Sequence, residues 1–183
     1  MLIHLKLPRA LHDTMLQDLE RPHAFAYERV GFLFVKKGTI DAGTLLLLVA
    51  EYHGVLDKHY INDPDVGAKI NSTAIRLAME SAMACGYGII HVHLHNEKFS
   101  SMFSRTDRRE FMRLIPSFHN IGGGAAHGAV VFSGNRFTGL ILLSKNDPPV
   151  EVSRVTVVGH PINQYVRERK MSWKTTGTAD KVF

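Results

Sequence analysis

A chain of 183 residues buries roughly 70% of its unfolded surface on folding, enough for one domain with a core that needs no covalent staples. Hydrophobic residues make up 45% and charged residues 21%, a globular balance that excludes a low-complexity chain. The net charge of +5 favours solubility, but the basic residues lack the interleaved aromatics of a single-strand nucleic-acid platform, so nucleic acid is not the expected partner.

The single cysteine, Cys85, excludes an intramolecular disulfide and a CxxC metal pair. The stretch MLIHLKLPRALHDTML lacks the unbroken apolar core of a secretory signal, and the apolar run Thr44 to Ala50 is too short for a bilayer span. These features predict a cytoplasmic protein without membrane contact.

Apolar residues at Leu11, Met15, Leu16 and Leu19 recur at helical spacing, and Pro22 stops the helix. Val30 to Val35 is almost continuously apolar, as in a strand buried on both faces, and Lys36-Lys-Gly38 ends it. Leu45 to Val49 is the next strand, and the polar stretch His53 to Val66 reads as loop. Asn71 or Ser72 caps a helix to about Ala84, with Gly86 past its end.

Ile89 to His95 is a strand, and a helix from Asp107 to about Leu114 ends before Pro116. Ile121-Gly-Gly-Gly124 reads as a hinge loop; it lacks the Lys and Ser/Thr of a phosphate-binding P-loop. Ala129 to Phe132 and Arg136 to Leu143 form a hairpin, and Val150 to Val158 alternates as a last strand. Periodicity fades from His160, giving a domain over 1–160 and a C-terminal extension over 161–183, with 175–179 a loose tail or one ordered by a partner. Helices interleaved with strands predict an α/β (α+β) fold in which helices pack on a mixed, mostly antiparallel sheet.

The chemistry concentrates in Ile89 to Asp107, IIHVHLHNEKFSSMFSRTD. Strand residues two apart share a face, so His93 and His95 can meet one metal ion. Asp107 is the candidate third ligand, and three protein ligands leave the open position of a catalytic zinc site. Such a site also needs a carboxylate to carry a proton, and Glu28 stands at the mouth of the first apolar strand, three residues before Gly31.

E-x-x-G before an apolar strand, then H-x-H, a loop and S-x-x-D, resembles the JAB/MPN domain and its JAMM metalloprotease motif, over roughly Leu11 to Val158. The chain departs from the family at Leu94 and Asn96, and its gap from His95 to Ser104 is longer by one residue. The resemblance implies a JAB/MPN-like, cytidine deaminase-like sheet and Zn2+ held by His93, His95 and Asp107. It implies Glu28 as general acid/base and Ser104 as the hydroxyl that stabilises an oxyanion. The implied substrate is the C-terminal tail of a ubiquitin-like protein in amide or isopeptide linkage, with E1/E2-like conjugation enzymes as associated proteins.

Several residues carry a second reading. His91 shares the strand face and is expected to support the site; His91, His93 and His95 together make a rival H-x-H-x-H metal centre. Asp107-Arg-Arg-Glu110 also reads as a helix N-cap with its capping-box Glu. Glu51 and Glu97 are rivals to Glu28, and Ser100 and Ser101 to Ser104. Phe99, Met102 and Phe103 are apolar loop residues that read as a cover for the site, as a partner contact or as simple packing. A metal-free scaffold that binds protein partners is the alternative function.

Overall fold

A computed structural model describes residues 1–24, 26–96 and 100–168. The strands are β1 (Leu2–Pro8), β2 (Val30–Asp41), β3 (Thr44–Gly54), β4 (Gly88–Leu94), β5 (His127–Ser133), β6 (Arg136–Leu142), β7 (Val150–Glu151), β8 (Arg154–Val158) and β9 (Asn163–Arg167). The helices are α1 (Arg9–Leu19), α2 (Ser72–Cys85) and α3 (Arg105–Phe118).

The strands run in the order β5-β4-β2-β3-β1-β8-β9-β6, and β5 pairs with β6, so eight strands close on themselves while β7 hangs on β6. Strand accounts for 40% of the described residues and helix for 27%, so the sheet dominates the architecture. This corrects the expected fold. The molecule is a closed β-barrel carrying a few helices, not a JAB/MPN-like α/β sheet packed with helices.

Two strands absent from the sequence reading make the closure. β1 joins β3 and β8, both in parallel, and β9 pairs antiparallel with β8 and parallel with β6. β1 alternates inward Ile3, Leu5 and Leu7 with half-buried His4 and Lys6, a two-residue period across its short length. β9 belongs to the segment assigned to the C-terminal extension; its exposed residues give almost no apolar pattern, and pairing alone makes it a strand.

Alternation along each strand separates two cores. Leu33, Ile90, Val92, Val130, Phe132, Phe137 and Ile141 point into the barrel, where α1 adds Met15 and Leu19. Phe32, Phe34, Ile89, Ala129, Val131 and Leu140 point outward, beneath α2 and α3. β4, β5, β6 and the first half of β2, Val30 to Val35, are therefore buried on both faces, as the unbroken apolar run of β2 suggested. α2 offers Ala74, Ala78 and Ala82, whose small side chains bring it close to the sheet.

Local chemistry sets the helix ends. Asn71 accepts the amide of Ala74 as the cap of α2, and Gly86 takes the left-handed conformation at its end, as expected. α3 starts earlier and ends later than expected. Its cap is Ser104, and it runs through Pro116, whose missing amide would have met the carbonyl of exposed Met112. The strand expected over Val150 to Val158 breaks into β7 and β8, with Val152 bonded to Gly139 between them.

Candidate metal centre

The odd residues of β4 point outward beneath the helices, which puts His91 and His93 outside the barrel wall. His93 pairs with Val30 on one side and Val131 on the other, and the His95 amide donates to the Phe132 carbonyl just past the strand. The His93 ring thus sits on backbone fixed from two edges, and the His95 ring on backbone held from the β5 side. They face a cleft of about 1780 Å³ lined by Glu28, His91, His93, His95, Ser104 and Asp107 among others.

Asp107 arrives from the first turn of α3. Its Oδ2 accepts the Ser104 amide at 2.7 Å, while the Ser104 hydroxyl oxygen accepts the Asp107 amide at 3.1 Å. Ser104 and Asp107 are therefore the two halves of a capping box. This corrects the sequence reading of Asp107 as the cap and Glu110 as its partner. The shift by three residues is what aims the Asp107 carboxylate back over the helix start, towards the histidines.

His93 Nε2 and His95 Nε2 lie 3.2 Å apart. Asp107 Oδ1 is 3.4 Å from His93 Nε2, and Oδ2 is 3.5 Å from His95 Nε2. A tetrahedral zinc site with bonds of about 2.0–2.1 Å has edges of about 3.3–3.4 Å. A direct charge-assisted hydrogen bond would instead draw carboxylate and imidazole to about 2.7–2.9 Å. Each Asp107 oxygen thus faces one imidazole at a distance too long for a tight ion pair, while the two ring nitrogens lie at the spacing of two ligands on one ion.

The ring of His95 is oriented for such a role. Its Nδ1 lies 2.9 Å from the Ser100 carbonyl, which only accepts, so the neutral ring carries its proton there and presents a lone pair at Nε2. His93 Nδ1 is buried without a partner, so its orientation depends on packing and on what meets Nε2. Burial works to raise the Asp107 carboxyl, but His93 and His95 outweigh it and hold the carboxyl well below the usual range. The Asp107 contact raises His95 from its ordinary value, against burial.

Glu28 completes the group. Its carboxylate and the ring nitrogens of His93 and His95 all lie within 4.8 Å of one another. The segment before β2 is pinned there by the Gly67 carbonyl, which accepts the amides of Tyr27 and Glu28 at 2.9 and 3.0 Å. The next residue, buried Arg29, bonds to the carbonyls of Arg21 and Pro22 and to Asp57. Gly67 also leaves space for the acid, because a Cβ there would lie 2.6 Å from Glu28 Oε2.

The structure thus brings Glu28, His93, His95, Ser104 and Asp107 together around one cleft. The metal-sized group is Glu28, His93 and His95, with Asp107 and His91 outside it; the His91 ring sits between Phe32 and His93, and burial pushes it down to about 3, with the neighbouring His93 acting in the same direction. Glu51 faces away and pairs with His53. Ser101 is fully buried and bonded to Glu168, Ser100 gives its carbonyl to His95, and Phe103 packs against Phe111. Met102 lines the cleft. Glu97, Phe99 and the 175–179 tail lie outside the described residues.

Sequence reading missed Gly67, Arg29 and the Ser100 carbonyl. Only Gly67 leaves a trace, as a glycine in a loop already marked by Asn62-Asp-Pro64. Among the described residues, no helix is long and apolar enough to cross a membrane. No family model matches the chain, and no curated protein matches it.

Proposed function

We propose that this chain is a zinc-dependent hydrolase of amide or isopeptide bonds with the JAMM arrangement of residues. The observation that carries the reading is the pair of ring nitrogens of His93 and His95, 3.2 Å apart, with the Asp107 oxygens 3.4 and 3.5 Å from one ring each and the Glu28 carboxylate within 4.8 Å of both. His93, His95 and Asp107 would hold the ion. When bound, zinc supplies a Lewis acid for the scissile carbonyl and lowers the pKa of water in the open position.

The chain's own groups do the rest. Glu28, whose carboxylate lies within 4.8 Å of the His93 and His95 ring nitrogens, takes the proton of the attacking water and returns it to the leaving nitrogen. The Ser104 oxygen already accepts from Asp107, so its hydrogen remains to be donated to the developing oxyanion. Ser104 therefore caps the helix and serves the carbonyl with different parts of one hydroxyl.

The resemblance supports the C-terminal tail of a ubiquitin-like protein as substrate, with E1/E2-like enzymes as associated proteins. β4 is paired on both edges, so an extended tail docks in the cleft instead of adding to that strand. Gly67 and Ala68 give part of the cleft wall small side chains, which suits a narrow tail. The unpaired Cys85 fits a reducing cytoplasm.

The test measures metal content by mass spectrometry alongside cleavage of linear and isopeptide ubiquitin-like fusions. About one zinc per chain, lost in His95→Ala, with turnover abolished but zinc retained in Glu28→Gln, is the expected result. Failure to take up zinc would overturn the reading in favour of a partner-binding scaffold, and full activity in Glu28→Gln would remove Glu28 as the base.

A further inference from the structure

The loop that orients the metal centre is held from the far end of the chain. Residues 100–104 carry the Ser100 carbonyl that meets His95 Nδ1 and the Ser104 cap that aims Asp107. At their middle, Ser101 is fully buried, and both its amide and its hydroxyl donate to Glu168 Oε2, at 2.7 and 2.5 Å. Arg136 meets the other oxygen of Glu168 at 3.5 Å, and the Glu168 amide bonds to the Phe137 carbonyl.

Glu168 directly follows β9, the strand that joins β8 to β6. Its carboxylate thus links the closure of the barrel to the loop between two candidate ligands. We infer that Glu168 is a positioning residue for this centre: through Ser101 it holds the 100–104 loop in place, so that the Ser100 carbonyl fixes the His95 ring and Ser104 starts α3 where Asp107 reaches the histidines. The relation to zinc rests on the proposed function; the hold on the loop does not.

The physical reason is the burial of Ser101. Two donors without water need an acceptor, and a carboxylate accepts both in one charge-assisted arrangement. Without it, Ser101 gains by moving outward to solvent, carrying Ser100 and Ser104 with it. A third group in the chain acts here as outer partners of metal ligands generally do, and those change metal affinity about 10- to 100-fold.

The experiment compares the full chain with Glu168→Ala, Glu168→Gln and Ser101→Ala by three measurements at mildly alkaline pH. These are amide hydrogen exchange over 100–104, the tautomer of His95 from its imidazole nitrogen resonances, and zinc affinity by chelator competition. Glu168→Ala is expected to speed exchange over 100–104 but not in α2, to mix the His95 tautomers, and to weaken zinc about tenfold. Glu168→Gln, which keeps an acceptor oxygen, recovers part of each effect. Ser101→Ala reproduces the change from the other side even where Glu168→Ala fails to fold.

Unchanged loop exchange and an unchanged His95 tautomer in the folded variants would overturn the inference. If the native chain takes up no zinc, the proposed function fails, while exchange and the His95 resonances still decide whether Glu168 holds the loop and ring.

Discussion

Asp107 Oδ2 accepts the amide of Ser104 at 2.7 Å, so the carboxylate that faces the two histidines is also half of the cap of α3. One side chain caps the helix and faces the candidate centre, and the two proposed duties can be separated. Asn at position 107 still offers an oxygen to the Ser104 amide but loses the charge. Asp107→Asn is expected to change stability by less than about 1 kcal/mol while zinc binding falls at least tenfold, measured by denaturant unfolding and chelator competition.

Ser104 has the opposite division of labour. Ser104→Ala removes the cap and the hydroxyl, with an expected loss of about 1 kcal/mol in stability and about 100-fold in turnover. Ser104→Asp restores an acceptor for the Asp107 amide without a hydroxyl to donate. Stability should recover and turnover should not; recovery of both would show that Ser104 acts only as a cap.

Gly67 tests the placement of the acid without touching a ligand. A methyl group there would meet the end of the Glu28 side chain, which can swing away at little cost to folding. Gly67→Ala is therefore expected to keep its melting temperature and its zinc while kcat falls on the order of 100-fold, the loss typical of a misplacement near 1 Å. A changed KM with kcat intact would assign the position to substrate binding.

His127 gives a pH signature outside the centre. Its Nδ1 accepts the Ile89 amide at 3.1 Å, which requires that nitrogen to stay unprotonated, and burial pushes the imidazole down to about 3, aided by nearby His119. The folded value lies below the unfolded value of about 6.5, so the stabilisation is present above that pH and is lost as pH falls towards 3. Between those values one such histidine contributes a slope of about 1.4 kcal/mol per pH unit. In metal-free protein His91, also pushed down to about 3, adds a slope of the same sign. His127→Gln should flatten the pH dependence of denaturant unfolding by one proton's worth; an unchanged slope would show that His127 is not held neutral.

The histidine strand was legible in the sequence alone, because a two-residue period puts His91, His93 and His95 on one face whatever the sheet around them. The sequence by itself also determined the double burial of the first half of β2, through its unbroken apolar run, and the caps of α2, since Asn71 and Gly86 act on neighbours a few residues away. Glu28, Ser104 and Asp107 were legible as residue types at a spacing, and their convergence was not.

The barrel was not legible before the strands were seen to pair. Its closure depends on β1, short and half-polar, and on β9, almost wholly exposed, whose strand character comes from backbone pairing with distant partners. Backbone hydrogen bonds do not depend on side-chain identity, so they leave no periodic trace in composition. The same holds for Gly67 beneath Glu28 and for Glu168 against Ser101. Such contacts are set by where closure of the barrel brings the chain, and Glu168 reaches a loop 67 residues earlier because β9 delivers it there.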